Sequence, residues 1–353
     1  MSGLFTLAKE IQGLNVTLQQ KRGERKGKNA LRAGLEASVG EFVRAKKLSD
    51  QEVRDLFEGR ALVGVDGSVN QFGSQYPYAI HLFKALAKST VAGRDGTSSV
   101  ERVKMFSALD ADSHRAVLHF MQQRREELRV APQEDRLIER DLAEQQAYQM
   151  LVDQLMVELE LQAAIEAVEK FRPFLLLMDG GFSRLKGKSG ELWDQFVETV
   201  TDAGTIVVGV IEEVGSYRLK SRLDEVDERL LDGFVRGHDR EVLFNLLETG
   251  EWLKTSVERP IKNEFYTVFT RFSDQPQAGA CDLLREQADR VDDVVNFLYT
   301  ITPSKSRGIP LWLDIVDEQA RLTRKQVEMI MKGNLDQEII ESFLRSQRER
   351  RDF

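Results

Sequence analysis

Two apolar runs in this chain end in the same way. "ALVGVDGS" delivers Asp66 followed by Gly67, and "FLLLMDGGF" delivers Asp179 followed by Gly180 and Gly181. The second run is short and continuously apolar, which suits a strand buried on both faces. An amphipathic stretch ending at a glycine, "ELWDQFVETVTDAG", and another apolar run, "TIVVGVIE", come after it. Strand, helix and strand in that order predict a parallel crossover and therefore an α/β domain. An acidic residue at the end of a buried strand, with glycine next, stands where the backbone turns and a ligand can approach.

The rest of the chain is read around that unit. Residues 1–60 are expected to be helical, because Leu4, Leu7, Ile11 and Leu14 recur at three- and four-residue steps. A basic run follows, in which Lys21, Arg22, Arg25, Lys26, Lys28 and Arg32 crowd together. It is either a solvated helical face or a contact to phosphates. From Ala61, two strands joined by a turn-rich loop are expected. The stretch from about Gln133 to Arg172 lacks Gly and Pro and reads as one long helix or two stacked ones. Residues 221–260 read as helical and charged, "NEFYTVFTRF" as a strand, and "DRVDDVVNFLYTIT" as a helix. "GIPLWLDIVDEQARLTR" reads as a short strand or turn feeding a helix, and "SQRERRDF" as an exposed basic tail. The expected organisation is a helical N-terminal region (1–60), an α/β domain with helical insertions (61–330) and a basic helical tail (331–353).

Bulk properties narrow the function classes. The formal net charge of −8 excludes a basic nucleic-acid coat, although a local basic groove can sit on an acidic protein. Cys281 is the lone cysteine, so there is no intrachain disulfide and no CxxC pair for zinc or an iron–sulfur cluster. That usage fits a reducing compartment. No apolar core of signal-peptide length opens the sequence, and no run approaches a membrane span. A cytoplasmic protein is expected.

The segment after Asp179 admits two chemistries. Gly187-Lys188-Ser189 resembles the end of a phosphate-cradling loop, but five residues (182–186) separate it from Gly181 where that loop has four. Phe182 stands where the loop's first glycine belongs, so a P-loop-type ATPase is the weakest reading. The other chemistry uses the carboxylates. If the strands ending in Asp66 and Asp179 are neighbours, both carboxylates meet at one sheet edge and repel unless a cation lies between them. Mg²⁺ or Mn²⁺ is the natural occupant of such an oxygen site. The plain alternative is that both are turn-forming Asp-Gly pairs. His81, His114, His119 and His238 are scattered without metal-ligand spacing.

"VGVDGS", a Glu-bearing long helix, "LLLMDGGF", "TIVVGVIEEVGSYRL" and "GIPLWLDIVDEQARLTR" occur in that order over roughly residues 60–325. In this ordered set the chain resembles the NurA-type nucleases. The resemblance implies an RNase H-like mixed sheet flanked by helices, with helical additions at both ends. It also implies a Mn²⁺- or Mg²⁺-dependent DNA nuclease acting in DNA-end processing, forming a homodimer and working beside a HerA-type hexameric ATPase. Carried over residue by residue, Asp66 and Asp179 match the strand carboxylates. The helical glutamate is Glu160, with Glu158 as the alternative, since two residues apart they face different sides of a helix. In the C-terminal motif Ile309 precedes Pro310 where the family has Tyr, and Asp317 falls where the family has His; Asp314 lies one turn earlier. An aspartate can replace a histidine as ligand to a hard metal. Glu212 and Glu213 stand where a lysine is common. Arg184, Lys186 and Lys188 are candidate contacts to the DNA backbone, and Phe72, Tyr76 and Tyr78 are candidates for stacking on unpaired bases. The departures at Ile309 and Asp317 motivate a second reading, a non-catalytic DNA-end or ATPase adaptor that keeps the nuclease fold.

Overall fold

The computed structural model describes residues 2–74, 76–124 and 137–344. In chain order the first elements are helices α1 (Ser2–Glu24) and α2 (Lys28–Ser38), strand β1 (Gly40–Arg44) and helix α3 (Asp50–Phe57). Strands β2 (Leu62–Gly73), β3 (Ala79–Ser89) and β4 (Ser99–Ser107) precede helices α4 (Ala111–Gln123) and α5 (Leu137–Phe171). Then come β5 (Leu175–Asp179), α6 (Phe182–Ser189), α7 (Glu191–Asp202), β6 (Ile206–Ile211), α8 (Arg218–Val226) and the short α9 (Asp239–Leu243). Strands β7 (Glu251–Thr255), β8 (Phe265–Arg271) and β9 (Gly279–Leu284) are followed by α10 (Val291–Ile301), α11 (Leu311–Ala320) and α12 (Arg324–Asn334). The architecture is mixed α/β with mixed strand pairing, as the resemblance implies.

These residues divide into two compact units. One comprises 60–179, 183–205 and the chain from Leu313 onward. Its strands run in the order β5-β2-β3-β4. β2 and β3 form a long antiparallel hairpin from Val63–Ser89 to Gly73–Ala79, and β4 adds antiparallel to β3. β5 pairs parallel with β2, from Leu62–Leu175 to Val65–Met178. This meander followed by a parallel strand is the arrangement expected of an RNase H-like fold. Leu175, Leu176 and Leu177 are fully buried. Each contributes about 1.5–3 kcal/mol relative to an exposed position, so the register that presents Asp179 is strongly held. Within the Gly- and Pro-free stretch, the described residues 137–171 form one helix, α5, which packs on β3, β2 and β4. α12 starts from a capping box between Thr323 and Gln326 and packs on β2. Its Val327 and Met331 close a small core with Ile80, Ile340 and Leu344.

The other unit holds residues 1–59, 180–182 and 206–312. Its strands run antiparallel in the order β1-β7-β8-β9-β6. Helices α2 and α8 cover a core that includes Leu35, Leu219, Leu223, Leu247 and Phe269. Here the structure departs from the sequence expectation. β1 and β7 are strands in segments read as helical, and β4 and β9 were not anticipated. β1 and β7 pair with each other, Gly40 opposite Thr255 through Arg44 opposite Glu251. Their conformation is decided by a remote partner that local periodicity does not reveal. The turn at Pro310 leads directly into α11, with proline just before the first helical residue.

The basic run separates into two groups. Arg25 pairs with Glu241 and Lys28 with Glu248, while Arg32 makes two 2.7 Å hydrogen bonds to Glu251 and lies over the Phe42 ring. Those three cations hold the unit together. α1 forms as expected, yet its apolar stripe is uncovered: Leu4 is 79% exposed and Ile11 59%. Of the tail, residues 345–353 lie outside the described residues. No helix among the described residues is long and apolar enough to cross a membrane.

Candidate active site

Every charged residue that the sequence reading placed at the site belongs to one unit, that of β2 and β5. The parallel ladder ends at Val65–Met178, so Asp66 and Asp179 are the next residues on neighbouring strands. Residues in register on parallel strands point to the same face. The chain turns away immediately after Asp179 at Gly180, whose φ of +86° is readily available only to glycine. Asp179 is exposed, whereas Asp66 is 6% exposed.

α5 supplies the third carboxyl. Glu160 is buried against the sheet, 3% exposed, and Arg184 Nη1 on α6 lies 3.4 Å from its Oε2. The approach of α5 to β2 is close at Gly67. A Cβ there would lie 2.3 Å from Met156 Cε and 2.7 Å from Glu160 Oε1. Only glycine leaves room for the glutamate to approach β2 here. Asp66 beside it lies within the strand and not, as the sequence reading has it, at its end: the apolar run stops at Asp66, but the hairpin pairing with β3 carries the strand on to Gly73. Glu158 is half-buried and accepts a 2.8 Å hydrogen bond from Gln154, one turn back on its own helix. α11 supplies the fourth carboxyl: Asp317 is hydrogen-bonded to the Asp66 carboxyl.

The electrostatics follow from this crowding. Burial, then repulsion from Asp179 and Asp317, pushes Asp66 up to about 7, against the pull of a 2.7 Å hydrogen bond from the Gly67 N–H. Burial also raises Glu160, to about 8, with Arg184 opposing the rise and Asp66 and Asp179 adding to it. Two carboxyls that hold protons near neutral pH, beside two further carboxyls, form a crowded acidic cluster.

The donor set fits a hard divalent cation. All four groups offer carboxylate oxygens, the ligands of Mg²⁺ and Mn²⁺, and a cation would relieve their mutual repulsion. The space a Cβ would fill at Gly67 brings Glu160 into the set. Among the described residues, no three His, Cys, Asp or Glu side chains are already drawn together closely enough to hold an ion. The carboxyls are neighbours without being a closed cage.

The other candidates are placed as follows. Lys188 Nζ is 3.1 Å from Asp153, and Lys186 is half-buried on the same helix. Gly187, Lys188 and Ser189 lie inside α6, where Ser189 Oγ donates to the Leu185 carbonyl at 2.6 Å. That segment is helix and not a loop wrapping phosphates. Tyr76 donates to Glu144 at 3.0 Å, and Tyr78 is 44% exposed against Phe343. His81 is buried and bonded to Tyr148 at 2.8 Å, an ordinary core histidine whose ring burial pushes below its usual value. Sequence reasoning missed the pairing of Arg184 with Glu160. The available signal was Glu160 itself, a single carboxylate among Leu159, Leu161, Ala163 and Ala164.

Comparison with known proteins identifies the family. Residues 60–322 match the model of the NurA domain family. The structure is similar to that of the NurA nuclease from Sulfolobus solfataricus, with a TM-score of 0.52, 14% sequence identity and 94% of each chain covered. It also matches the catalytic domain of human Endonuclease V with a TM-score of 0.33, 15% identity, and coverage of 87% of this chain and 95% of that one. A search of curated proteins gives no match. With the match spanning every element from β2 through α11, the chain belongs to the NurA domain family.

Proposed function

We propose that this protein is a divalent-metal-dependent DNA nuclease that hydrolyses phosphodiester bonds at DNA ends. The observation that carries the reading is the parallel register that sets Asp66 beside Asp179, with Glu160 and Asp317 close enough to perturb or bond Asp66. Membership of a nuclease family supports the reaction class.

Asp66, Asp179, Glu160 and Asp317 are the residues that would hold Mn²⁺ or Mg²⁺, whose chemistry is to acidify an attacking water and stabilise the leaving oxygen. Asp66 is the central ligand, since Asp179 and Asp317 both act on it. The proton that Asp66 holds near neutral pH must leave before its carboxylate serves as a ligand. Arg184 holds Glu160 in place and carries a positive charge to the edge of the cluster, where it supports a phosphate contact. Lys186 and Lys188 extend that charge along α6. No protein nucleophile is invoked.

The family reading adds a HerA-like hexameric ATPase partner, cytoplasmic DNA-break repair and a homodimer. The dimer has support in α1, where Leu4, Leu7, Ile11 and Leu14 keep the three-and-four spacing of a helix pair and are uncovered. The adaptor reading draws on Asp317 in place of histidine and on carboxyls not drawn into a cage. One experiment separates the two. Purified protein should degrade end-containing or single-stranded DNA with Mn²⁺ or Mg²⁺, and Asp66→Ala should abolish this. Equal cleavage by parent and variant would remove the assigned site, and no cleavage by either would favour the adaptor.

A further inference from the structure

The basic run that begins at Lys21 is only partly consumed by ion pairs, and one residue outside those pairs, Arg22, lines an open cleft. This cleft, of about 750 Å³, lies in the unit of β6–β9 and is bordered by Arg22, Arg25, Arg236, Arg240, His238 and Phe244. Arg25 is held by Glu241, and Arg240 lies 3.1 Å from Glu213. Arg22 and Arg236 are exposed and have no ion-pair partner among the described residues. In a chain of net charge −8, unpaired arginines converging on one cleft are a local exception that calls for an anion.

The apolar part of the cleft specifies which anion. Phe244 presents a ring that is 50% exposed. His238 stacks on Tyr217 with ring centroids 3.9 Å apart and a 29° interplanar angle, joined by a 2.6 Å contact between Tyr217 Oη and His238 Nε2. Guanidinium groups beside open aromatic faces are the elements that hold unpaired nucleotides, phosphates on the cations and bases on the rings. A duplex, with its bases stacked on one another, has no face to offer those rings.

We propose that this cleft is a binding surface for single-stranded DNA, with Arg22 and Arg236 on the backbone and Phe244 against a base. The choice of DNA as the polymer rests on the nuclease reading above. The cleft is a property of the unit that contains none of the four carboxyls.

The test is binding without cleavage. Fluorescence anisotropy of a labelled 20-nucleotide oligo-dT is followed in EDTA across a salt series, with an abasic 20-mer and an acidic peptide for comparison. Arg22→Ala/Arg236→Ala should weaken oligo-dT binding about tenfold or more, and flatten the salt dependence by roughly 1.4 log units per log unit for two lost phosphate contacts. Phe244→Ala should weaken oligo-dT about tenfold and erase its advantage over the abasic strand. All these positions are exposed, and unchanged thermal melting of the variants establishes that they fold. Parent-like affinity and salt slope in the variants would overturn the proposal, as would a cleft that takes the acidic peptide in preference to oligo-dT. The readout is independent of catalysis. If Asp66→Ala cleaves like the parent, the site assignment fails while the binding result stands.

Discussion

Asp66 and Asp179 stand side by side, one residue beyond the Val65–Met178 pair that ends the β2–β5 ladder, yet one is buried and the other exposed. The pair therefore combines a carboxyl that resists ionisation with one in contact with solvent. Replacing Asp66 by Asn keeps the shape, removes a ligand and removes the repulsion. Cleavage in Mn²⁺ should fall at least about a hundredfold. In EDTA at pH 8 the same variant should melt a few degrees higher than the parent. Loss of activity together with a gain in stability marks a functional charge; loss of both would indicate a structural one.

The raised carboxyls also set a pH dependence. Unfolded Asp and Glu release their protons near pH 4, whereas Asp66 and Glu160 hold theirs to about 7 and about 8 in the folded chain. Between those limits the folded state binds more protons than the unfolded one, so stability is highest at the acid side and is lost as pH rises. The slope is at most about 1.4 kcal/mol per pH unit for each group. Thermal melts in EDTA from pH 5 to pH 9 should decline across this window. Mn²⁺ should restore stability at the alkaline end, and Glu160→Gln should reduce the slope. A profile that rises toward pH 8 without metal contradicts the arrangement.

Glu160 and Glu158 provide an internal comparison. Glu160 is buried beside Gly67 and Arg184, whereas Glu158 bonds to Gln154 on its own helix. Glu160→Gln should cost cleavage roughly a hundredfold, with weaker Mn²⁺ dependence. Glu158→Gln should stay within about twofold of the parent, since it breaks only one helix-surface contact. The reverse ranking would move the site to the other face of α5.

Gly67 offers a steric test of the same geometry. Gly67→Ala places a methyl 2.3 Å from Met156 Cε and 2.7 Å from Glu160 Oε1. The flexible methionine can move aside, but displacing the carboxyl changes the ligand set. A stability loss of about 1–3 kcal/mol is expected, with a more than tenfold drop in cleavage rate. Gly67→Ala/Met156→Ala should recover stability without recovering activity. Recovery of both would place the strain at Met156 alone.

What was legible in the sequence was local. The β5 run "FLLLMD" announces a strand because its residues are apolar without interruption, and α5 announces a helix because nothing in 137–171 breaks one. The adjacency of Asp66 and Asp179 was available as a consequence of pairing two such strands. β1 was not legible: "GEFVR" becomes a strand through Glu251–Thr255, some two hundred residues away. α6 was not anticipated, for a different reason. The glycine- and lysine-rich "GGFSRLKGKS" looks like a loop, yet Phe182 and Leu185, three apart, are both fully buried and anchor a helix. That helix brings Arg184 back over Glu160, a contact no spacing rule anticipates.

The uncovered stripe on α1 yields the last prediction. A lone helix gains little stability in water from its own hydrogen bonds, and Leu4, Leu7, Ile11 and Leu14 gain nothing while exposed. Two copies placed along that stripe would bury these residues, each contributing about 1–2 kcal/mol even when partly covered. Leu7→Glu/Leu14→Glu sets like charges in the seam and should halve the solution mass measured by light scattering. The body of each unit should remain folded, because residues 3–20 of α1 are exposed along their whole length. A parent that is monomeric at micromolar concentration would remove the homodimer reading, and a dimer indifferent to both substitutions would place its contact elsewhere.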